Sequence, residues 1–176
     1  MIDLRNRDLP DRIECCGRSY RLKTDFRDWI CFDHDLQHHG ICNVEIFVDK
    51  PTGLEVIEPL MEFYRSPNIT PTGSSSSERI VDMVWDGDYI VASFMQAYGI
   101  DLTTVDYMHW HVFKALLYNL PDDTVMSRIM GYRSWQKSNR KIDDVMADRK
   151  RRYSLPTIEQ LEERRTLLKW AEEMGL

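Results

Sequence analysis

The chain has 176 residues, 43% of them hydrophobic and 30% charged, and a formal net charge of −6. That is enough apolar material for one domain and too much for wholesale disorder. No apolar run approaches the roughly 18 residues of a membrane-spanning helix, and Arg5, Arg7, Asp8, Arg12 and Glu14 stand where a secretory signal would need an apolar stretch, so a cytosolic protein is expected.

In chain order, the first predicted element is a small hairpin over 12–23. Ile13 and Cys15 alternate on the outgoing strand, Gly17-Arg18 is the expected turn, and Tyr20 and Leu22 alternate on the return. Thr24 and Asp25 then cap a helix whose apolar face carries Phe26, Trp29, Ile30, Phe32 and Leu36, with Gly40 as its stop. Over 41–52, Val44, Ile46 and Val48 alternate as in a strand, but the run is too short to assign. A helix is expected over about 54–65, where Pro59 is tolerable only in a first turn. The stretch 66–78, SPNITPTGSSSSE, offers nothing to bury and is read as a mobile loop.

Asp86 is the expected cap of a helix with Ile90, Val91, Phe94, Met95, Ala97 and Tyr98 on its apolar arc; Asp88, Ser93 and Gln96 fall opposite, and Gly99 terminates it. Thr103 and Asp106 resemble a capping box, with Leu102 placed to staple against Tyr107, so the next helix is expected to begin there. Its wide apolar arc marks it as central, leaving Tyr107, His111, Lys114 and Tyr118 for solvent. Pro121 ends it. Met126, Ile129 and Met130 continue an apolar stripe, followed by a charged helix over about 139–153 and a last one over about 157–174 with a Thr157/Gln160 capping box. The expected fold is mainly α: a single-domain helical bundle over 1–156 with a small N-terminal β-hairpin, and a C-terminal helix over 157–176.

Charge divides unevenly. Residues 128–176 hold twelve Lys or Arg against eight Asp or Glu, leaving eleven against twenty-one before them. The densest basic run, Arg149 to Arg152, could meet phosphates, but overall acidity repels nucleic acid at range. Cys31, His34 and His38 share one helix face, with His39 and Cys42 nearby, and thiolate with imidazole is zinc chemistry. Their spacing matches no zinc module and one helix face cannot close four ligands, so a solvated polar face without metal is expected. Four cysteines, two of them adjacent at Cys15 and Cys16, predict reduced thiols. His109 falls inside the apolar arc as a core histidine, with His111 at the surface. The chain has no Walker loop, GxGxxG, GxSxG or HExxH, and no enzyme is expected.

Several stretches read together as one ordered series. They are Gly17-Arg18-Ser19-Tyr20 leading into Thr24-Asp25-Phe26-Arg27-Asp28-Trp29, then Phe63-Tyr64-Arg65, then Asp88-Tyr89-Ile90 with Ala92-Ser93-Phe94. Gln96-Ala97-Tyr98-Gly99-Ile100-Asp101-Leu102, His109-Trp110 with Phe113-Lys114-Ala115-Leu116, Leu120-Pro121 and Gly131-Tyr132-Arg133-Ser134 follow. In this order they resemble a phage family labelled gene-product fifteen, regarded as tail assembly chaperones of long-tailed, siphovirus-like phages.

The resemblance spans about residues 13–156 and departs at the Ser-rich loop, the Cys and His cluster, and the last helix. It implies a protein of the infected host cytoplasm that binds the tape measure protein, keeps it soluble and helps tail tube protein assemble around it, with no catalytic residue or cofactor. A tail or connector subunit that self-associates, and a DNA-binding regulator acting through Arg149 to Arg152, are the alternatives. Nine Met, five Trp and eight Tyr suit a surface that adapts to an apolar partner. Trp135, in an expected loop after Gly131 and Ser134, and the nearby Tyr132 are the candidate anchors, with Arg149, Arg151 and Arg152 as the charged rim.

Overall fold

The computed structural model describes residues 5, 8–51, 53–65, 79–137 and 142–175. The expected loop over 66–78 lies outside the described residues, as does the expected helix start at 139–141. Seven α-helices and one two-stranded antiparallel hairpin make up the described regular structure beside a single 3-10 turn, so the fold is mainly α as expected.

The hairpin pairs β1 (Arg12–Cys15) with β2 (Arg18–Arg21) in the register Arg12 to Arg21 and Cys15 to Arg18. Its turn is one residue earlier than expected. Cys16 and Gly17 carry the positive φ values, 51° and 74°, the arrangement that follows the right-handed twist of a two-residue hairpin. Ile13 and Cys15 turn inward. Leu22 forms an isolated bridge with Phe47, and this tertiary pairing resolves the unassigned segment, where Val44–Ile46 is a 3-10 turn rather than a strand.

Helix α1 (Phe26–His39) begins at Asp25, whose side chain accepts the N–H of Arg27, and stops at Gly40 with φ 64°. Its face of Phe26, Trp29 and Phe32 is buried as expected. Helix α2 (Ile57–Arg65) carries Pro59 in its first turn, where the missing N–H is one the helix leaves unbonded anyway. Helix α3 (Gly87–Tyr98) ends at Gly99, whose φ of 66° lets it bond back to Met95 O while Ile100 reaches Phe94 O.

The next helix, α4 (Trp110–Tyr118), begins several residues later than the expected capping box. Asp101 accounts for the difference: its carboxylate accepts from the N–H and the hydroxyl of Thr103, at 2.9 and 2.6 Å, so a local turn takes the donor that a cap at Thr103 would have needed. The chain then pairs with the start of α1, Phe26 N donating to Met108 O and Trp110 N to Thr24 O. His109 becomes the cap, accepting the N–H of His111 at Nδ1 while its Nε2 donates to Pro10 O at 2.9 Å. It is a satisfied core histidine, as read from the sequence.

Stacked rings run through the centre. Phe94 lies on Phe113 at 5.4 Å between centroids, Phe113 on Trp110 at 6.0 Å, Trp110 on Trp29 at 5.8 Å and Trp29 on Phe63 at 5.1 Å. This joins α1, α2, α3 and α4 through offset aromatic contacts. Helix α5 (Val125–Ser134) is capped by Thr124 and buries Met126 and Ile129. Ser93, assigned to solvent from the periodicity of α3, is instead buried, and its hydroxyl accepts the N–H of Met126 at 3.0 Å. It satisfies one of the orphan donors in the first turn of α5. Helix α6 (Asp143–Arg152) has Asp143 and Asp144 in its first turn and four basic residues in its last, the order that the helix dipole favours. Helix α7 (Ile158–Glu173) opens with the expected reciprocal Thr157/Gln160 box. None of the described helices is long and apolar enough to cross a membrane.

Candidate partner-binding surface

The corner between α5 and α6 brings three of the five candidate residues together. The Tyr132 ring stacks on Tyr153 at 5.7 Å, and the Arg149 guanidinium lies 5.2 Å above the Tyr132 ring while donating to its Oη at 3.2 Å. Trp135 sits just past the end of α5, half-buried; its N–H donates to Tyr132 O, and its carbonyl accepts from Lys150 Nζ at 3.3 Å. Arg151 and Arg152 do not join this group. They lie elsewhere around α6, mostly exposed, with Asp148 at 2.6 and 3.8 Å. Such exposed pairs contribute little to stability.

Beneath the corner lies a residue pair that sequence reasoning missed. Arg133 and Asp86 are both buried and form a forked ion pair with bonds of 2.6 and 2.8 Å. Arg133 also donates to Tyr153 O and Ile80 O, while Asp86 accepts the N–H of Asp82. Asp86 was expected to cap α3 with its side chain; it precedes the helix, but Arg133 has taken its carboxylate. The sequence does carry a signal: Arg133 stands seven residues after Met126, on the apolar stripe of α5, where an unpaired charge would be intolerable. Arg79, Arg133, Lys150 and the segment 154–157 line a cleft of about 320 Å³ beside the corner.

A second polar group sits between α1, α2 and α4 and corrects three solvent-facing expectations. His111 and Lys114, expected at the surface, are buried and close the last carbonyls of α2. His111 Nε2 donates to Phe63 O at 2.9 Å, and Lys114 Nζ donates to Tyr64 O and Arg65 O at 2.8 Å each. Tyr118, also assigned to solvent, is half-buried, and burial aided by Asp33 pushes its hydroxyl up to about 12. The Tyr64 hydroxyl donates to Asp33, which also accepts from Gln37. Burial raises Asp33 above the usual carboxylate range, against the pull of these hydrogen bonds. Burial also lowers Lys114 to about 8, opposed by Asp33.

Burial takes the His111 imidazole down to about 4, and its Nδ1 has no hydrogen-bond partner among the described residues. A proton there would strand a charged N–H inside the core. The unfolded chain takes up that proton near pH 6.5 and the folded chain only near 4, so stability from this site is present above pH 6.5 and is lost as pH falls toward 4. In urea melts, the wild type is expected to lose about 2–3 kcal/mol more than His111→Gln between pH 7 and 4.5. Equal losses would refute the assignment.

The Cys31, His34 and His38 face is less solvated than expected. Cys31 is exposed, but His34 and His38 are half-buried with rings 4.4 Å apart, and His38 Nε2 lies 2.9 Å from Asp82 Oδ2. The 79–82 segment meets this face at His38, where Arg79 Nη1 also approaches Nε2 at 3.2 Å. Among the described residues, no three His, Cys, Asp or Glu side chains are gathered as metal ligands. All four cysteines are free.

A family model described as bacteriophage Gp15 protein matches residues 6–155. No curated protein and no solved structure gives a significant match.

Proposed function

The chain belongs to the bacteriophage Gp15 protein family, and from that premise we propose that it is a non-catalytic tail assembly chaperone of the infected host cytoplasm, one that binds the tape measure protein and promotes assembly of tail tube protein around it. The observation that carries this reading is the family match over nearly the whole helical body, joined to a surface suited to an amphipathic partner. Tyr132, Trp135 and Arg149 form a compact aromatic and basic corner, while Trp85, Tyr107 and Met95 expose further adaptable apolar surface. A partner helix with an apolar stripe and acidic flanks would find aromatic and basic contacts together at that corner. The DNA-binding alternative is less well served, because a net charge of −6 repels a phosphate backbone at range.

Co-expression with fragments of the cognate tape measure tests the reading. At least one fragment should co-purify and stay soluble only with the chaperone; capture of none overturns the proposal. Trp135→Ala should weaken capture by about 2 kcal/mol, roughly thirtyfold. Arg151→Ala should chiefly slow association and flatten its salt dependence. Normal binding by Trp135→Ala would remove only the anchor.

A further inference from the structure

Helix α7 follows the family-matched residues, and none of its described side chains is buried or joins the core. Leu167, Trp170 and Met174 are each more than half exposed. A lone helix of this length is marginal in water, so the apolar stripe needs a cover. Together with the exposed Glu163, these residues recur at spacings of four, three and four, which places them within about 60° of one another on the helix.

Helix α6 and its preceding residue present the counterpart. Ile142 and Val145 are also more than half exposed, and with Arg149 and Arg152 they recur at three, four and three, within about 80°. Laid antiparallel, the two stripes run roughly 15 and 16.5 Å and keep step along their length. Met174 meets Ile142, Trp170 meets Val145, Leu167 meets the aliphatic stem of Arg149, and Glu163 meets Arg152. Apolar residues fall on apolar residues at one end, and opposite charges meet at the other.

The pairing does not suit a hairpin within one chain. Residues 153–157 are fastened to the body, with Arg133 Nε donating to Tyr153 O at 2.6 Å and Arg79 Nη2 to Pro156 O at 3.2 Å. A tight hairpin through that segment would bring Arg152 to the first turn of α7, several residues short of Glu163. We propose that α7 docks on α6 of a second copy of this chain and that the exchange is reciprocal, giving a two-fold dimer. The symmetry repeats the contact twice, which helps one short helix pair toward the roughly 1,200 Å² that a stable interface buries.

This goes beyond the tape measure reading and is tested with the purified full chain alone. Sedimentation over a concentration series up to roughly 100 μM should show a dimer with micromolar dissociation. Trp170→Glu should give a monomer that still unfolds cooperatively and whose helical circular dichroism falls by no more than the 16 residues of α7. Arg152→Glu and Glu163→Arg should each weaken the dimer about tenfold, and the double exchange should restore it to within about threefold. A wild type that stays monomeric throughout overturns the proposal. So does an oligomer indifferent to Trp170→Glu, or a double exchange that fails to restore association.

Discussion

Replacing Arg133 by Ala is expected to lower stability by about 3–5 kcal/mol, a large part of the roughly 5–15 kcal/mol that holds a domain together. The size follows from what remains. Asp86 is fully buried, and without the two guanidinium bonds its carboxylate keeps, among the described residues, only the N–H of Asp82. The carbonyls of Tyr153 and Ile80 lose donors at the same time. Arg133→Lys should rescue little, because a point charge cannot reproduce the fork or reach three elements together. An apolar pair of similar volume, Asp86→Leu with Arg133→Met, should cost less than either single change, since it leaves no buried charge unpaired. Urea unfolding of the alanine and lysine variants, the two single apolar changes and their double tests this. A loss below about 1 kcal/mol for Arg133→Ala would show that solvent reaches the pair.

Trp29→Ala is expected to cost about 3–5 kcal/mol, through a cavity at the middle of the ring stack. Trp29 is fully buried, contacts Phe63 and Trp110 face to face and Phe32 edge-on at 5.2 Å, and donates from Nε1 to Lys23 O at 2.8 Å. Trp29→Phe keeps most of the ring contact but leaves Lys23 O without that donor, so about 1–3 kcal/mol is expected. Thermal and chemical melts should rank the two in that order. An equal loss would mean that the hydrogen bond, and not the stack, dominates at this site.

The sequence announced those parts of the fold that are settled within a few residues. Asp25, Gly40, Gly99 and Thr157 mark helix ends by bonds or backbone angles that neighbouring residues supply, and all four act as expected. The apolar face of α1 was legible for the same reason. Where a distant segment decides, periodicity failed. Ser93, His111 and Lys114 look like solvent-facing residues until α5 brings an N–H to the first and α2 brings carbonyls to the other two. The start of α4 shifted because Asp101 competes locally and Thr24 pairs across the chain. The candidate surface was legible only as composition. Nothing local to Tyr132 or Arg149 says that two helices will place one over the other, nor that Arg151 will fall on another side of the same helix.

The forked pair also sets a timetable for synthesis. Asp86 and Arg133 lie 47 residues apart, and at about 5–20 residues per second the ribosome supplies the second roughly 2–10 s after the first. Tyr153, which accepts from the same guanidinium, comes later still. Through that interval, drawing the Asp86 carboxylate inside would cost several kcal/mol without its partner, so the start of α3 is expected to stay in water and the nascent body open at that end. The aromatic rings of α1 and α2 are by then already made and wait for α4 to cover them. Final closure is therefore timed by the arrival of one basic side chain, and stalled or truncated chains that end before residue 133 are the ones expected to aggregate.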